Sequence, residues 1–280
     1  MEDRISLKRI IKLLCISAKI DMVWLLRDTK YAIIAVCSDV LSNLSTAAGV
    51  FLIAVRFGGI GEMRSDEVLF MMAYSTLVTG IFQIFGAGNN IHISRIIGRG
   101  QLEHCFIQPL SLPVQLCTQG FMPFTGSANF ITGIALTTIA VHRIPLAVTP
   151  FWGLRMAAYL MTSLIILIAR SYMVSSLAFY APVACEEISS TAIDDPWLLS
   201  TFPLSGMPGY IQIPLITILP EGLLAWFPAL VLLGKPPFAP YYPMLYAFLS
   251  ACFAAYLFRK GFLYYMQKGS NRYVPHGFRR

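Results

Sequence analysis

The sequence predicts an all-α polytopic membrane protein with an N-terminal interfacial helix and six transmembrane helices. Three observations carry this. Hydrophobic residues make up 56% of the 280 positions and charged residues 12%, against about 25% charged in soluble domains, and the mean hydropathy is +0.66. The apolar residues fall in nearly uncharged runs of roughly 20, the length that crosses a bilayer, whereas a soluble core needs apolar stripes. The basic residues gather at the two ends, seven before residue 31 and six after residue 258.

Residues 1–30 form the interfacial part. Ile10, Leu13, Leu14, Ser17, Ile20 and Trp24 share one side of a helical wheel, with Lys8, Lys12 and Lys19 opposite, the pattern of a helix lying on a membrane surface. A signal peptide is not expected, because Lys12 and Lys19 interrupt the apolar part and no small-residue cleavage site follows. Residues 31–260 hold the spans: Tyr31 to Val55, Val68 to Phe85, Leu116 to Val141, Leu146 to Ile168, Tyr210 to Leu233 and Tyr242 to Phe258. The fifth contains Pro214, Pro220 and Pro228. Proline removes an amide donor, so this segment is expected to be bent or re-entrant and supported by protein. Residues 261–280 form a basic tail.

With the N-terminus inside, the N-terminal segment, Arg95, Arg99, Arg170 and the tail place 16 of 21 basic residues in the cytoplasm, as the positive-inside rule requires. Both termini are then cytoplasmic. No basic residue lies between Arg170 and Lys235, so the loop with Glu186, Glu187, Asp194 and Asp195 is placed by counting spans alone. The net charge of +7 fits lipid headgroups rather than nucleic acid, since the basic residues flank apolar spans and no nucleic-acid module accompanies them. Six cysteines are scattered without paired spacing, which argues against a disulfide framework or a zinc site.

Several constellations are candidates for function. Asp39, Ser42, Asn43 and Thr46 lie at i, i+3, i+4 and i+7, on one face of span 1. An intramembrane carboxylate costs several kcal/mol to insert, so this face is either the wall of a substrate path or subunit seam, or a polar helix-packing contact. Ser75, Thr79 and Gln83 repeat the pattern in span 2, where hydroxyls readily bond back to their own helix. Glu221 follows Pro220, and is either presented by a re-entrant turn at a gate or a hydrated rim residue. Between spans 2 and 3, Arg95, Arg99, Gln101, Glu103 and His104 alternate with Ile93, Ile96, Ile97, Leu102 and Phe106. That mixture suits a short helix at about residues 92–106 pressed on a cytoplasmic protein, or an interfacial loop.

Catalytic motifs are missing. Gly234-Lys235-Pro236 lacks the glycine-rich run of a P-loop, His92 and His104 lack metalloprotease spacing, and Gly59-Ile60-Gly61 lacks a third glycine. Asp194-Asp195 has no second acidic cluster to share a metal. The glycosylation triplet at Asn43 lies at membrane depth.

Three stretches carry a resemblance. After span 1 comes Arg56-Phe57-Gly58-Gly59-Ile60-Gly61. After span 2 comes SRIIGRGQLEHCFIQPLSLPVQL, in which Ile97, Gly100, Leu102, Pro109 and Ser111 match a cytoplasmic segment. The last span runs into FRKGFLYYMQKGSNRY, with Gly261, Tyr265 and Gly269. In this order, with the interfacial helix and the broken fifth segment, the chain resembles the permease subunits of ABC-2-type exporters, in the viologen-exporter-like branch of bacterial drug and antibiotic efflux systems. His104, Cys105 and the long stretch after span 4 depart from that pattern.

The resemblance implies the transmembrane domain of an exporter in the bacterial inner membrane. It implies a second permease copy or related permease, and a dimer of cytoplasmic ATPases that hold the ATP and magnesium, with no cofactor or metal on this chain. Arg95, Arg99, Gln101, Leu102, Glu103 and His104 would form the coupling helix, and Asp39, Ser42, Asn43, Thr46, Ser75, Thr79 and Gln83 the path. Pro214, Pro220 and Glu221 would form a gate or re-entrant turn. The competing readings are a membrane-embedded enzyme using Asp39 or the Glu186 to Asp195 loop, and an assembly factor without transport.

Overall fold

The computed structural model describes residues 7–86, 93–98, 100–182 and 200–269. The described chain is helical, with one isolated bridge between Ile60 and Met63. Helix α1 spans Leu7–Arg27. It turns Leu13, Ser17 and Leu25 toward the protein and leaves Ile11, Ile20, Val23 and Trp24 exposed. The wheel pattern is thus split, with Ile20 and Trp24 on the exposed side. Asp28 ends α1 and caps α2, Thr29–Phe57, by accepting the Tyr31 N–H at 3.1 Å. Gly58, at φ 74°, closes α2 in the left-handed conformation that glycine adopts without steric cost.

Helix α3, Ser65–Gly86, is the axle of the bundle. Val68 through Tyr74 are buried without interruption, so α3 is surrounded rather than amphipathic. Its closest neighbour is α7, Ser127–Arg143. The approach depends on glycines of both helices: a side chain at Gly80 would overlap the backbone of Phe130, and one at Gly133 would come within 2.7 Å of the Leu77 backbone. Small residues let helices approach this way where lipid supplies no hydrophobic drive. Helix α8, Pro150–Ser175, starts on a Thr149 cap with Pro150 in its first turn. It packs along α12, Tyr242–Lys268, and meets α3 through a 3.0 Å hydrogen bond between the Ser163 and Tyr74 hydroxyls.

One expected span is corrected, and the form of another is decided. The third, Leu116 to Val141, is interrupted: α6 covers Leu112–Gln119, and α7 begins only at Ser127. Gly120 and Pro123 open the chain there, and Asp21 of α1 accepts the freed Phe124 and Thr125 amides at 2.8 and 3.1 Å, together with the Thr125 hydroxyl. A hydropathy window averages over such a break because its other residues are apolar.

The fifth, Tyr210 to Leu233, is α9 (Gly209–Thr217), α10 (Glu221–Leu224) and α11 (Trp226–Leu232), with a bend of 68° at the break. Its start is fixed where Ser205 and Gly206 lie against Gly61 and Ile60. Its end is fixed where Lys235 pairs with Glu67 at 2.7 Å. Both anchors stand at the N-terminal end of α3. The segment therefore begins and ends at one end of the bundle, which is the re-entrant one of the two forms its prolines allow.

Helices α2, α3, α7, α8 and α12 run between the two ends of the bundle. Arg143 lies 3.8 Å from Asp66 at the re-entrant end, while Phe179 packs edge-on against Phe258, Phe262 and Tyr265 of α12 at the other. The chain leaves that second end at Pro182 and is next described at Ser200, entering the Leu204–Gly206 turn beside Gly61. By length and hydropathy α2, α3 and α8 can each cross a membrane unaided. Helix α7, at 17 residues, is about 26 Å long, a little short of the ~30 Å hydrocarbon core.

Replacing Gly80 with Ala is expected to cost about 1–3 kcal/mol, the usual cost of overpacking. Gly49, with nothing within 4 Å, should tolerate Ala with a slight gain in helix stability. Thermal unfolding of the two variants in detergent checks this.

Candidate translocation and coupling sites

The polar face of α2 divides. Asp39, Ser42 and Thr46 are exposed on the surface of the chain, with the Thr46 hydroxyl donating to the Ser42 carbonyl at 2.9 Å. Asn43 turns inward, its Nδ2 donating to the Asp39 carbonyl at 2.8 Å and to Asn129 Oδ1 at 2.7 Å. Asn129 Nδ2 in turn donates to Gln83 Oε1 at 2.7 Å. Side-chain amides thus link α2, α7 and α3. Gln83 is joined to the Asp39 face through Asn129, which sequence reasoning missed although it is an uncharged amide inside an apolar run. Ser75 is buried and Thr79 donates back to the Ser75 carbonyl at 2.9 Å, so these two sit in helix packing rather than on the exposed face.

Pro214, Pro220 and Glu221 come together at the tip of the re-entrant segment. The Pro214 carbonyl accepts the Ile218 and Leu219 amides, both at 2.9 Å, and the Pro220 carbonyl accepts that of Leu223 at 3.0 Å. Gln212 Nε2 donates to the Leu204 and Met207 carbonyls at 2.9 and 2.7 Å, and the Trp226 indole donates to Ser205 Oγ at 2.8 Å. The turn is therefore held by its own backbone and by protein, as a backbone inside lipid must be.

Glu221 is not a hydrated rim residue. It is 2% exposed and accepts from Arg170 Nη1 of α8 at 2.6 Å. Its Oε2 has no partner among the described residues. Arg170, which charge counting assigned to a cytoplasmic flank, is instead drawn into the bundle by this pair. The asymmetry of the remaining basic residues does not depend on it.

The segment after α3 forms two helices, α4 (Ile93–Gly98) and α5 (Leu102–Ile107), separated by Gly100 at φ 66°. Ile93, Ile96, Ile97 and Leu102 are buried against Leu116, Ala178, Phe179 and Tyr265. Leu102 therefore anchors this platform from beneath. Arg95 is half-buried, Gln101, Glu103 and His104 are exposed, and Arg99 lies outside the described residues. Glu103 accepts the hydroxyl of Tyr265 on α12. Gln115 Nε2 donates to the Cys105 and Leu110 carbonyls, both at 2.7 Å, tying α6 to the end of α5. Ile107, 81% exposed, and Phe106 present apolar surface beside these polar groups.

Burial pushes the Cys105 thiol above its ordinary pKa, which disfavours the thiolate a nucleophile needs. Among the described residues no group of three or more His, Cys, Asp or Glu side chains comes together. The Glu186 to Asp195 stretch lies outside the described residues.

A family model described as "ABC-2 family transporter protein" matches residues 41–270, most of the chain. No curated protein and no solved structure matches.

Arg170→Met alone strands the Glu221 carboxylate in an apolar setting and is expected to cost about 3–5 kcal/mol. Arg170→Met combined with Glu221→Met should recover most of that loss. Asn129→Leu should cost about 1 kcal/mol, the scale of an interhelical hydrogen bond in a membrane. Chemical or thermal unfolding in micelles measures all three.

Proposed function

We propose that this chain, which belongs to the ABC-2 transporter family over residues 41–270, is the permease subunit of an ATP-binding-cassette exporter. It moves a hydrophobic or amphipathic compound, of the drug, antibiotic or lipid-like kind, out of the cytoplasm or the inner leaflet. Family membership makes it a multi-pass membrane transporter component, and the chemistry of ATP hydrolysis is assigned to separate ATPase subunits that bind ATP and magnesium.

The observation that carries the coupling role is the α4–α5 platform. It presents Gln101, His104, Phe106 and Ile107 outward while its inner face is packed onto the ends of α8 and α12. An exposed isoleucine bordered by polar side chains fits a contact with another protein. The last turns of α12, with Arg259, Lys260 and Lys268, pack on this platform through Phe262 and Tyr265, which supports a cytoplasmic location in a bacterial cell for it and for both termini. The re-entrant segment then faces outward.

A push on α5 reaches α12 through Glu103 and Tyr265 and reaches α8 through Phe179. Arg170 on α8 carries the same displacement to Glu221 at the re-entrant tip. Two arrangements of this tip, selected by the ATPases, give the differential contact that a two-state gate requires. The exposed Asp39, Ser42 and Thr46 would line the path between this chain and a second permease, where a carboxylate at membrane depth finds protein or water rather than lipid.

Purification of the tagged chain from its host should recover an ATPase. Charge reversal of Arg99 together with Glu103, or Ile107→Glu alone, should release that ATPase, while Tyr265→Phe should not. A complex that survives the charge reversal removes the coupling role from this segment, and turnover of a substrate by the isolated chain would point to an enzyme.

A further inference from the structure

A cavity of about 420 Å³ opens near the platform end of the bundle, between α6, α8 and α12. Its walls are apolar: Leu116 from α6, Ile165 and Ala169 from α8, and Ala251 and Ala255 from α12. The two alanines, at i and i+4, remove side-chain volume from one face of α12. Arg259, one turn further along α12, stands at the mouth. Its side chain is exposed and makes no ion pair with any described residue.

We infer that this cavity is a binding site for a phospholipid with an anionic headgroup, its acyl chain inside and its phosphate on Arg259. The walls are continuous with the exposed Ile165 and Ile168 on the flank of α8, so a ligand enters from the hydrocarbon phase. The volume lies in the range of ligand pockets. Arg259 and Lys260 follow the apolar part of α12 where Tyr172, Phe258 and Phe262 cluster, the level at which aromatic rings and basic side chains meet headgroups. Charge complementarity selects the occupant, since an apolar ligand would leave Arg259 unused.

The site adjoins the coupling platform. Helix α6 forms one wall and also carries Gln115, which holds the Cys105 carbonyl. A bound acyl chain supports α6 against α8 and α12 and so stiffens the platform. The binding claim requires that the chain sit in a membrane and does not rest on the export reading.

The test uses the full chain in lipid nanodiscs, with phosphatidylglycerol carrying a photoreactive group on one acyl chain. Label is expected on α6, α8 and α12 around the cavity. Arg259→Gln should reduce it about fivefold, the worth of one basic residue near an anionic surface. Ala255→Trp should fill the cavity and abolish the label there while labelling along α2 is retained. Equal cavity labelling by phosphatidylcholine with the same reactive group, or labelling indifferent to Arg259→Gln, overturns the proposal. Should Ala255→Trp fail to fold, as size-exclusion would show, the Arg259→Gln comparison decides.

Discussion

A polypeptide that turns round inside a bilayer must satisfy its peptide groups without water, and the rest of this structure is arranged around one such turn. At residues 218–220 the chain bends between α9 and α10, with its amides gathered on the carbonyls of Pro214 and Pro220. An unmet amide in hydrocarbon costs several kcal/mol, so the turn needs a protein enclosure. Helices α3 and α8, the Leu204–Gly206 turn and α11 supply it, which accounts for the uninterrupted burial of α3 and for the placement of Arg170. The glutamate at the tip is tolerated only because that guanidinium reaches it.

The same helix links the two ends of the molecule. Arg170 holds the re-entrant tip, and within two further turns α8 passes into the Ser176–Phe179 turn, whose Phe179 ring contacts Gly261 and the aromatic end of α12. A side chain at Gly261 would come within 2.5 Å of that ring, so the glycine sets how closely α12 approaches. The platform α4–α5 rests on this junction. Contacts at the two ends are thus carried by one rigid element rather than by a chain of loops, the condition under which a local displacement is transmitted.

Much of this was legible from residue order. The long helices α2, α3, α8 and α12 follow from unbroken apolar runs, and Pro214 and Pro220 announced a broken fifth segment. The wheel pattern of α1 was legible only in part, since Ile20 and Trp24 lie exposed. What stayed hidden depends on contacts between residues far apart. Asp21 reads as one more charge on a surface helix, and only its reach of more than 100 positions to Thr125 reveals a cap. Asn129 carries no local signal that it bridges Asn43 and Gln83. Arg170 looked like a flanking charge because basic residues at the end of an apolar run usually are.

The sequence by itself determined that the chain is an all-α membrane protein, that four of its apolar runs form long helices, and that the fifth segment cannot be a straight one. These depend on hydropathy and on proline chemistry, both properties of neighbouring residues. Only the tertiary structure decided that this segment returns to the side it entered, that the third span starts after a capped break, and that the α2 polar face sends Asn43 inward and leaves Asp39, Ser42 and Thr46 outside. Each of those outcomes is a choice of partner for a polar group at membrane depth, and partners separated by dozens of residues are selected by packing, not by sequence adjacency.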